Sequence, residues 1–329
     1  MSEKIDLIGV GSPVVDLLAH VEDDHVHALE GGKGGMELVD AAGLEALLAG
    51  LDGGHQIAAG GSAGNTAYAA ARIGTKVSFL GKLGNCESAD FYRDRFASIG
   101  ADTSRFKIGD VPNAKCLSFV TPDSERTMRT DLGAAMTLSP DEVSVADFAN
   151  VRHVHIEGYL AFNRDLKQKV LECAKEAGCT TSFDMASYEV VKASEDVLGG
   201  WLKDHIDIVF ANEDEASAFF PGHGEDHKAM AHAFSEICDI AAVKLGKEGS
   251  IIAKDGQIEF VDPVVVDQAI DTTGAGDYWA GGFLSAWLKG KPLEECGRYG
   301  SILGAEVVQV LGASLDEERW AELHSELHG

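Results

Sequence analysis

The stretch 270-IDTTGAGDYWAGGFLSAWLKG-290 decides how the rest of the chain is read. It starts as an extended run and breaks at Gly274 and Gly276. It then continues as a helix with Trp279, Phe283, Ala286 and Trp287 along one face, until Gly290 stops it. The two glycines let successive N–H groups turn into one concavity, and the first helical turn adds unpaired N–H groups and a positive dipole end. Such a concavity holds an anion, most naturally a phosphate. Asp277, at its rim, is placed to accept a proton from an attacking hydroxyl. GAGD by itself would be a capped glycine turn, whereas DTTGAGD ahead of an apolar helix carrying Gly281 and Gly282 is far more specific.

Working outward, a second glycine-rich segment, GGSAGNTAYAAARIG (60–74), lies far upstream. The pair, in this order, resembles the two signatures of the PfkB (ribokinase-like) family of sugar and nucleoside kinases, and the likeness spans nearly the whole chain. The resemblance implies a ribokinase-like three-layer α/β fold with a central, mostly parallel sheet and a small β lid. It makes residues 1–329 one kinase domain, with the lid formed by roughly 12–59 and 112–132.

Composition bounds the alternatives. With 27 Lys+Arg against 54 Asp+Glu, 27 − 54 gives a net charge of −27, which argues against nucleic-acid or anionic-membrane surfaces. A polyanion site must then be built locally, from backbone N–H groups and a few cations. Cysteines 86, 116, 173, 179, 238 and 296 form no CxxC pair or metal-like spacing, so reduced thiols in a cytosol are the simplest reading. The opening MSEKIDLIGVG resembles no signal peptide, and no apolar run reaches spanning length, so the expectation is a cytoplasmic protein, monomer or homodimer.

Along the chain, Ile5–Val10 reads as a buried strand. Val14 takes the place of the third glycine in GVGSPV, so this is no dinucleotide fingerprint. Residues 20–59 read as irregular and acidic, and GGKGG (31–35) lacks the Lys-Ser/Thr of a P-loop. Lys76–Leu83, Lys115–Thr121 and Thr127–Leu132 have strand character, the last two joined by a PDSE turn. From 150 on, strands alternate with helices expected near 165–177, 190–205 and 226–238, which argues a parallel sheet covered on both faces. A hairpin turns at Asp255-Gly256, and two helices near 292–310 and 315–327 close the chain. His223 and His227 are four apart, but PGHG argues a loop and surface histidines rather than zinc.

Carried over residue by residue, the resemblance assigns roles. Asp277 becomes the catalytic base, with Gly274, Ala275 and Gly276 binding charge on the phosphoryl oxygens. Asp16 accepts hydrogen bonds from substrate hydroxyls, and Gly60, Gly61 and Asn65 bind the same substrate; read alone, Asn65 is a helix N-cap. TPDSERTMRTDLGAA resembles the adenosine-kinase branch, where an Arg at the position of Arg126 reaches the transferring phosphate. Tyr159, in HIEGYL, stands where an aromatic stacks on adenine in some members of that branch, and Phe119 is a second candidate surface. Asn212 and Glu215 in ANEDE follow a strand, where open α/β sheets bind ligands, and match the NxxE motif that organises Mg²⁺ and its waters. VKLGKEGS places Lys244, Gly246 and Gly249 beside ATP. Family members are often activated by K⁺ near the DTTGAGD loop, which makes Asp271 a candidate ligand.

The expectation is therefore an ATP- and Mg²⁺-dependent kinase acting on a primary hydroxyl of a ribonucleoside, adenosine first. A sugar kinase for ribose, fructose or a related carbohydrate is the alternative. A catalytically silent ligand-binding homologue is a third possibility, against which Asp277 and both glycines count.

Overall fold

In the computed structural model, residues 4–30, 32–51, 53–123 and 125–328 are described. Gly31 of GGKGG, Asp52 within the 20–59 stretch and Ser124 of the PDSE turn lie outside the described residues. An eight-stranded sheet forms the centre. Its order runs Val77–Leu80, Ile5–Val10, Val151–Ile156, Thr180–Asp184, Ile208–Asn212 and Ile240–Lys244, all parallel, then Ser250–Lys254 and Gln257–Val261, both antiparallel. The last two form the expected hairpin, with positive φ at Asp255 (52°) and Gly256 (73°), as a two-residue hairpin turn requires.

The strands up to Ser250–Lys254 are buried on both faces because both faces are covered, and of their buried polar side chains His153 and His155 pair with Ser182. One core holds Leu7, Phe79, Phe210 and Ala242 under the helices Ser62–Arg72, Ala275–Leu288, Leu293–Val307 and Glu317–His328. The other holds Ile8, Val154, Phe183 and Val209 under Arg164–Glu176, Glu195–His205 and His227–Ser235. The predicted helix near 190–205 is in fact two, Tyr188–Ala193 and Glu195–His205, broken at Ser194, whose hydroxyl bonds the Val190 carbonyl. A further helix, Glu213–Phe219, grows directly from the ANEDE motif.

Ala275–Leu288 is buried on every side rather than along one face, because it runs between two other helices. A Cβ at Gly281 would meet the Thr66 carbonyl of Ser62–Arg72 at 2.7 Å, and one at Gly282 would meet the Tyr299 carbonyl of Leu293–Val307 at 2.5 Å. The Gly-Gly pair is what admits one neighbour on each side.

A second, five-stranded sheet is assembled in the order Met36–Leu38, Arg126–Asp131, Lys115–Val120, Val15–His20 and Gln56–Ala59. The 20–59 region is therefore not irregular: short helices Asp23–His27 and Ala41–Ala49 lie between these strands. Val26 and Leu44 from them are buried in the same core as Leu17, Ala19, Leu117 and Phe119 of the sheet. Phe119 is fully buried with its ring on His25, 5.3 Å between centroids, so it offers no surface for a base. On the same strand, Cys116 and Ser118 lie on the opposite face, with Asp16 paired to Cys116.

Candidate active site

Ile5–Val10 continues toward Val77–Leu80 on one side, while Val151–Ile156 continues toward Thr180–Asp184 on the other. Between these two strands the winding reverses, and a crevice opens beyond their C-terminal ends. There Glu157 accepts hydrogen bonds from the N–H of Ser12 (2.8 Å) and of Ala63 (3.3 Å). This ties the loop leading to Asp16 to the first turn of Ser62–Arg72. Burial pushes the Glu157 carboxyl up to about 7, against those two bonds.

The same helix turn carries the groups that hold Asp277. Ser62 donates its hydroxyl to Asp277 Oδ1 (2.7 Å), and Asn65 donates its amide to Oδ2 (3.0 Å). Asn65 is thus not an N-cap: the helix starts at Ser62, after Gly61. Asp277 lies in the first turn of Ala275–Leu288, entered through Gly274 in the left-handed conformation (φ 75°). Burial, then the nearby Asp184 carboxylate, push Asp277 up to about 6, while Asn65 and Ser62 pull the other way. The Ala275 N–H bonds the Thr272 carbonyl (3.2 Å), so the orphan donors of the turn are those of Gly276 and Asp277.

Asp16 projects from Val15–His20 against the segment that precedes that helix. A Cβ at Gly60 would lie 2.3 Å from Asp16 Oδ2, and one at Gly61 would lie 2.2 Å from the Ser12 carbonyl, so these glycines admit the approach. Burial raises Asp16 to about 6, with Arg126 opposing and Asp271 and Asp277 adding. Arg126 donates to the Thr273 hydroxyl and lies 3.5 Å from Asp271, joining the small sheet to the DTTGAGD loop. Asp271 accepts from the N–H groups of Thr273 (2.9 Å) and Gly312 (2.8 Å). Burial works against it, but these bonds and Arg126 leave its carboxyl below the usual range. Its side chain is first a clamp on this loop.

Along the sheet edge, Asn212 and Glu215 bond one another. The Glu215 N–H donates to Asn212 Oδ1 (2.8 Å), and the Asn212 N–H and amide donate to the Glu215 carboxylate (2.8 and 3.0 Å). Burial and Asp184 raise Glu215 to about 7. No group of three or more metal-ligating side chains exists among the described residues, His223 and His227 included. A magnesium ion carried by a ligand and its own waters fits one buried carboxylate better than a protein-only cage would. Gly246 opens the turn Gly246–Glu248 at φ 53°, and Gly249 closes it at φ 97° against the Val261 carbonyl. Tyr159, in the turn Gly158–Phe162, is 44% exposed, and burial with Asp277 and Glu157 pushes its hydroxyl up to about 12. Leu160 beside it is buried.

Three members were not singled out in the sequence: Ser62, Glu157 and Asp184. Glu157 follows the strand Val151–Ile156 and Asp184 ends the strand Thr180–Asp184, both at the C-terminal edge that marks ligand sites in such sheets, and that position was their available signal.

A family model described as pfkB family carbohydrate kinase matches residues 51–320. The adenosine kinase of Sinorhizobium meliloti superposes with a TM-score of 0.88 at 29% identity, covering 98% of this chain and 100% of that one. A probable sugar kinase from Rhizobium etli gives 0.86 at 30% identity, covering 98% and 99%. The adenosine kinase of Saccharomyces cerevisiae is 26% identical over 95% of this chain and 97% of its own. The architecture is the ribokinase-like α/β fold.

Proposed function

Because the chain belongs to the pfkB family of carbohydrate kinases, and so is a phosphotransferase acting on hydroxyl groups, we propose that it moves the γ-phosphate of ATP to the 5′-hydroxyl of a ribonucleoside, adenosine first. One observation carries the reading: a partly buried carboxylate, Asp277, is held by Ser62 and Asn65 at a helix N-terminus.

The acceptor hydroxyl attacks the γ-phosphorus while the bond to the bridging oxygen breaks and ADP leaves with its electron pair. The proton passes to Asp277, which needs only to be close and ionised, since the hydroxyl becomes acidic late. The Gly276 and Asp277 N–H groups and Arg126 face the charge on the transferring group. Asp16 accepts from the hydroxyls of the sugar ring. Asn212 and Glu215 are the residues that would hold a magnesium ion through its waters, and such an ion would supply charge neutralisation for the phosphates. The small sheet, bound to the phosphate loop through Arg126, serves as the lid. The half-exposed Tyr159 ring, beside Asp277 and Glu157, favours a base over a bare sugar.

No helix is long and apolar enough to cross a membrane among the described residues, and the six cysteines are free; we place the enzyme in the cytoplasm. The test is competitive: adenosine, ribose and fructose offered together with ATP, and the products separated. AMP is the expected product. A sugar phosphate alone would replace the nucleoside with a sugar and leave the kinase standing.

A further inference from the structure

Asp184 and Lys244 end the strands Thr180–Asp184 and Ile240–Lys244, with Ile208–Asn212 lying between them. Strands two apart are separated by about 9–10 Å. The lysine stem spans that gap, and its Nζ donates to Asp184 Oδ2 at 2.9 Å, with only 13% and 7% of the two side chains exposed. The other Asp184 oxygen accepts from the Ala186 N–H at 2.9 Å, so the carboxylate cannot rotate freely. Ala186 makes that bond from a positive φ of 64°, a backbone conformation that costs a non-glycine residue energy.

The ammonium is thereby placed against the catalytic turn: a Cβ at Gly276 would lie 3.0 Å from Lys244 Nζ. This is an awkward location for a cation. It faces the first turn of Ala275–Leu288, the positive end of that helix, where anions are favoured and cations are not. A buried ion pair adds little net stability in any case. Burial pulls the Lys244 pKa down, but Asp184 and then Glu215 more than offset it, and the side chain stays charged. What relieves the juxtaposition of ammonium and helix end is an anion between them.

We propose that Asp184 is a positioning residue, which holds the Lys244 ammonium beside Gly276 so that it meets the phosphoryl group in flight. This rests on the kinase reading above. With Asp184 neutral, the ammonium is repelled by the helix end and drifts toward Glu215, and the transferring group loses a fixed counter-charge. Gly276 has a second role on this view, leaving room for the ammonium as well as supplying an N–H.

Steady-state kinetics of the full chain with ATP and Mg²⁺ tests this. Wild-type turnover checks the kinase reading by itself, and the ratios between variants check Asp184. Lys244→Met is expected to lower kcat by about 100-fold and Asp184→Asn by at least about tenfold, with the KM for ATP within about threefold of wild type. The double variant Asp184→Asn/Lys244→Met should be no slower than Lys244→Met alone, because the two act as one unit. A merely structural Asp184 would instead multiply with Lys244→Met, and that result overturns the proposal. So does a Lys244→Met enzyme with a kcat within about threefold of wild type, or an Asp184→Asn enzyme that loses only ATP affinity. Should Asp184→Asn fail to fold, Asp184→Glu keeps the charge but moves it, and it is expected to fall between wild type and Lys244→Met. A rate below Lys244→Met would count against positioning.

Discussion

The two ends of the site are built in different ways. The end proposed to hold the phosphate is mostly backbone: Gly274 in a left-handed turn, two orphan N–H groups, and a helix behind them, all within a few consecutive residues. The end proposed to hold the acceptor is side chains gathered from far apart, with Asp16 from one sheet, Asn65 and Ser62 from a helix, and Glu157 from a strand end in the other sheet. A local device can serve any acceptor. A distributed one is tuned by changing a single side chain. The comparison implies that chemistry is common to the family's members and choice of acceptor is not, which agrees with adenosine kinase and probable sugar kinase structures matching this chain equally well.

The largest expected break falls at the shared end. Asp277→Asn should cost about 10²–10⁴-fold in kcat while nucleotide binding, measured by titration, persists. A residual rate above about a hundredth of wild type would remove Asp277 as the base. Next, Asp16→Asn should raise the acceptor KM by about 10–100-fold and leave the KM for ATP alone, since a charged hydrogen bond is worth about 1.5–3 kcal/mol. Equal loss on both substrates would mean that the two ends are not separable. Glu215→Gln, on the phosphate side, should raise the Mg²⁺ needed for half-maximal rate by about tenfold, as outer-sphere changes typically do. An unchanged requirement takes Glu215 out of metal binding.

The smallest effect is in pH. To act as the proposed base, Asp277 must be ionised, and burial pushes its carboxyl up to about 6, above the ordinary Asp range. Activity is therefore full well above that value and is lost as pH falls through it, with kcat/KM near half at about pH 6. Asp16 titrates in the same range and steepens the limb for the acceptor. A profile flat down to pH 5 would mean that neither carboxyl titrates there in the working enzyme.

How much of this could be read in the sequence follows the same division. DTTGAGD was legible because a glycine turn, a helix start and a carboxylate are written side by side. Asn65 was legible as a site residue, though not as a partner of Asp277, 212 residues away in sequence. Glu157, Asp184 and Ser62 each look like ordinary polar residues at the end of an element or a glycine turn, and only the folded sheet brings them together. The 20–59 stretch was misread because short elements separated by glycines have too few residues for a period to show. The all-round burial of Ala275–Leu288 escaped because its apolar residues alone do not say how many neighbours it has; Gly281 and Gly282 were the clue.

The small sheet is reached by four short connections, at 11–14, 60–61, near 109–114 and after 131. A flap hung from one strap can twist and fray, whereas a plate hung from four can only rock about the line joining them. Its apolar residues, Leu17, Ala19, Leu117 and Phe119 with Val26 and Leu44, are continuous with the core that also holds Leu7 and Phe79. If this sheet is the proposed lid, closing over an acceptor would order almost no chain, and most of the contact energy made on closing would remain available to hold the acceptor.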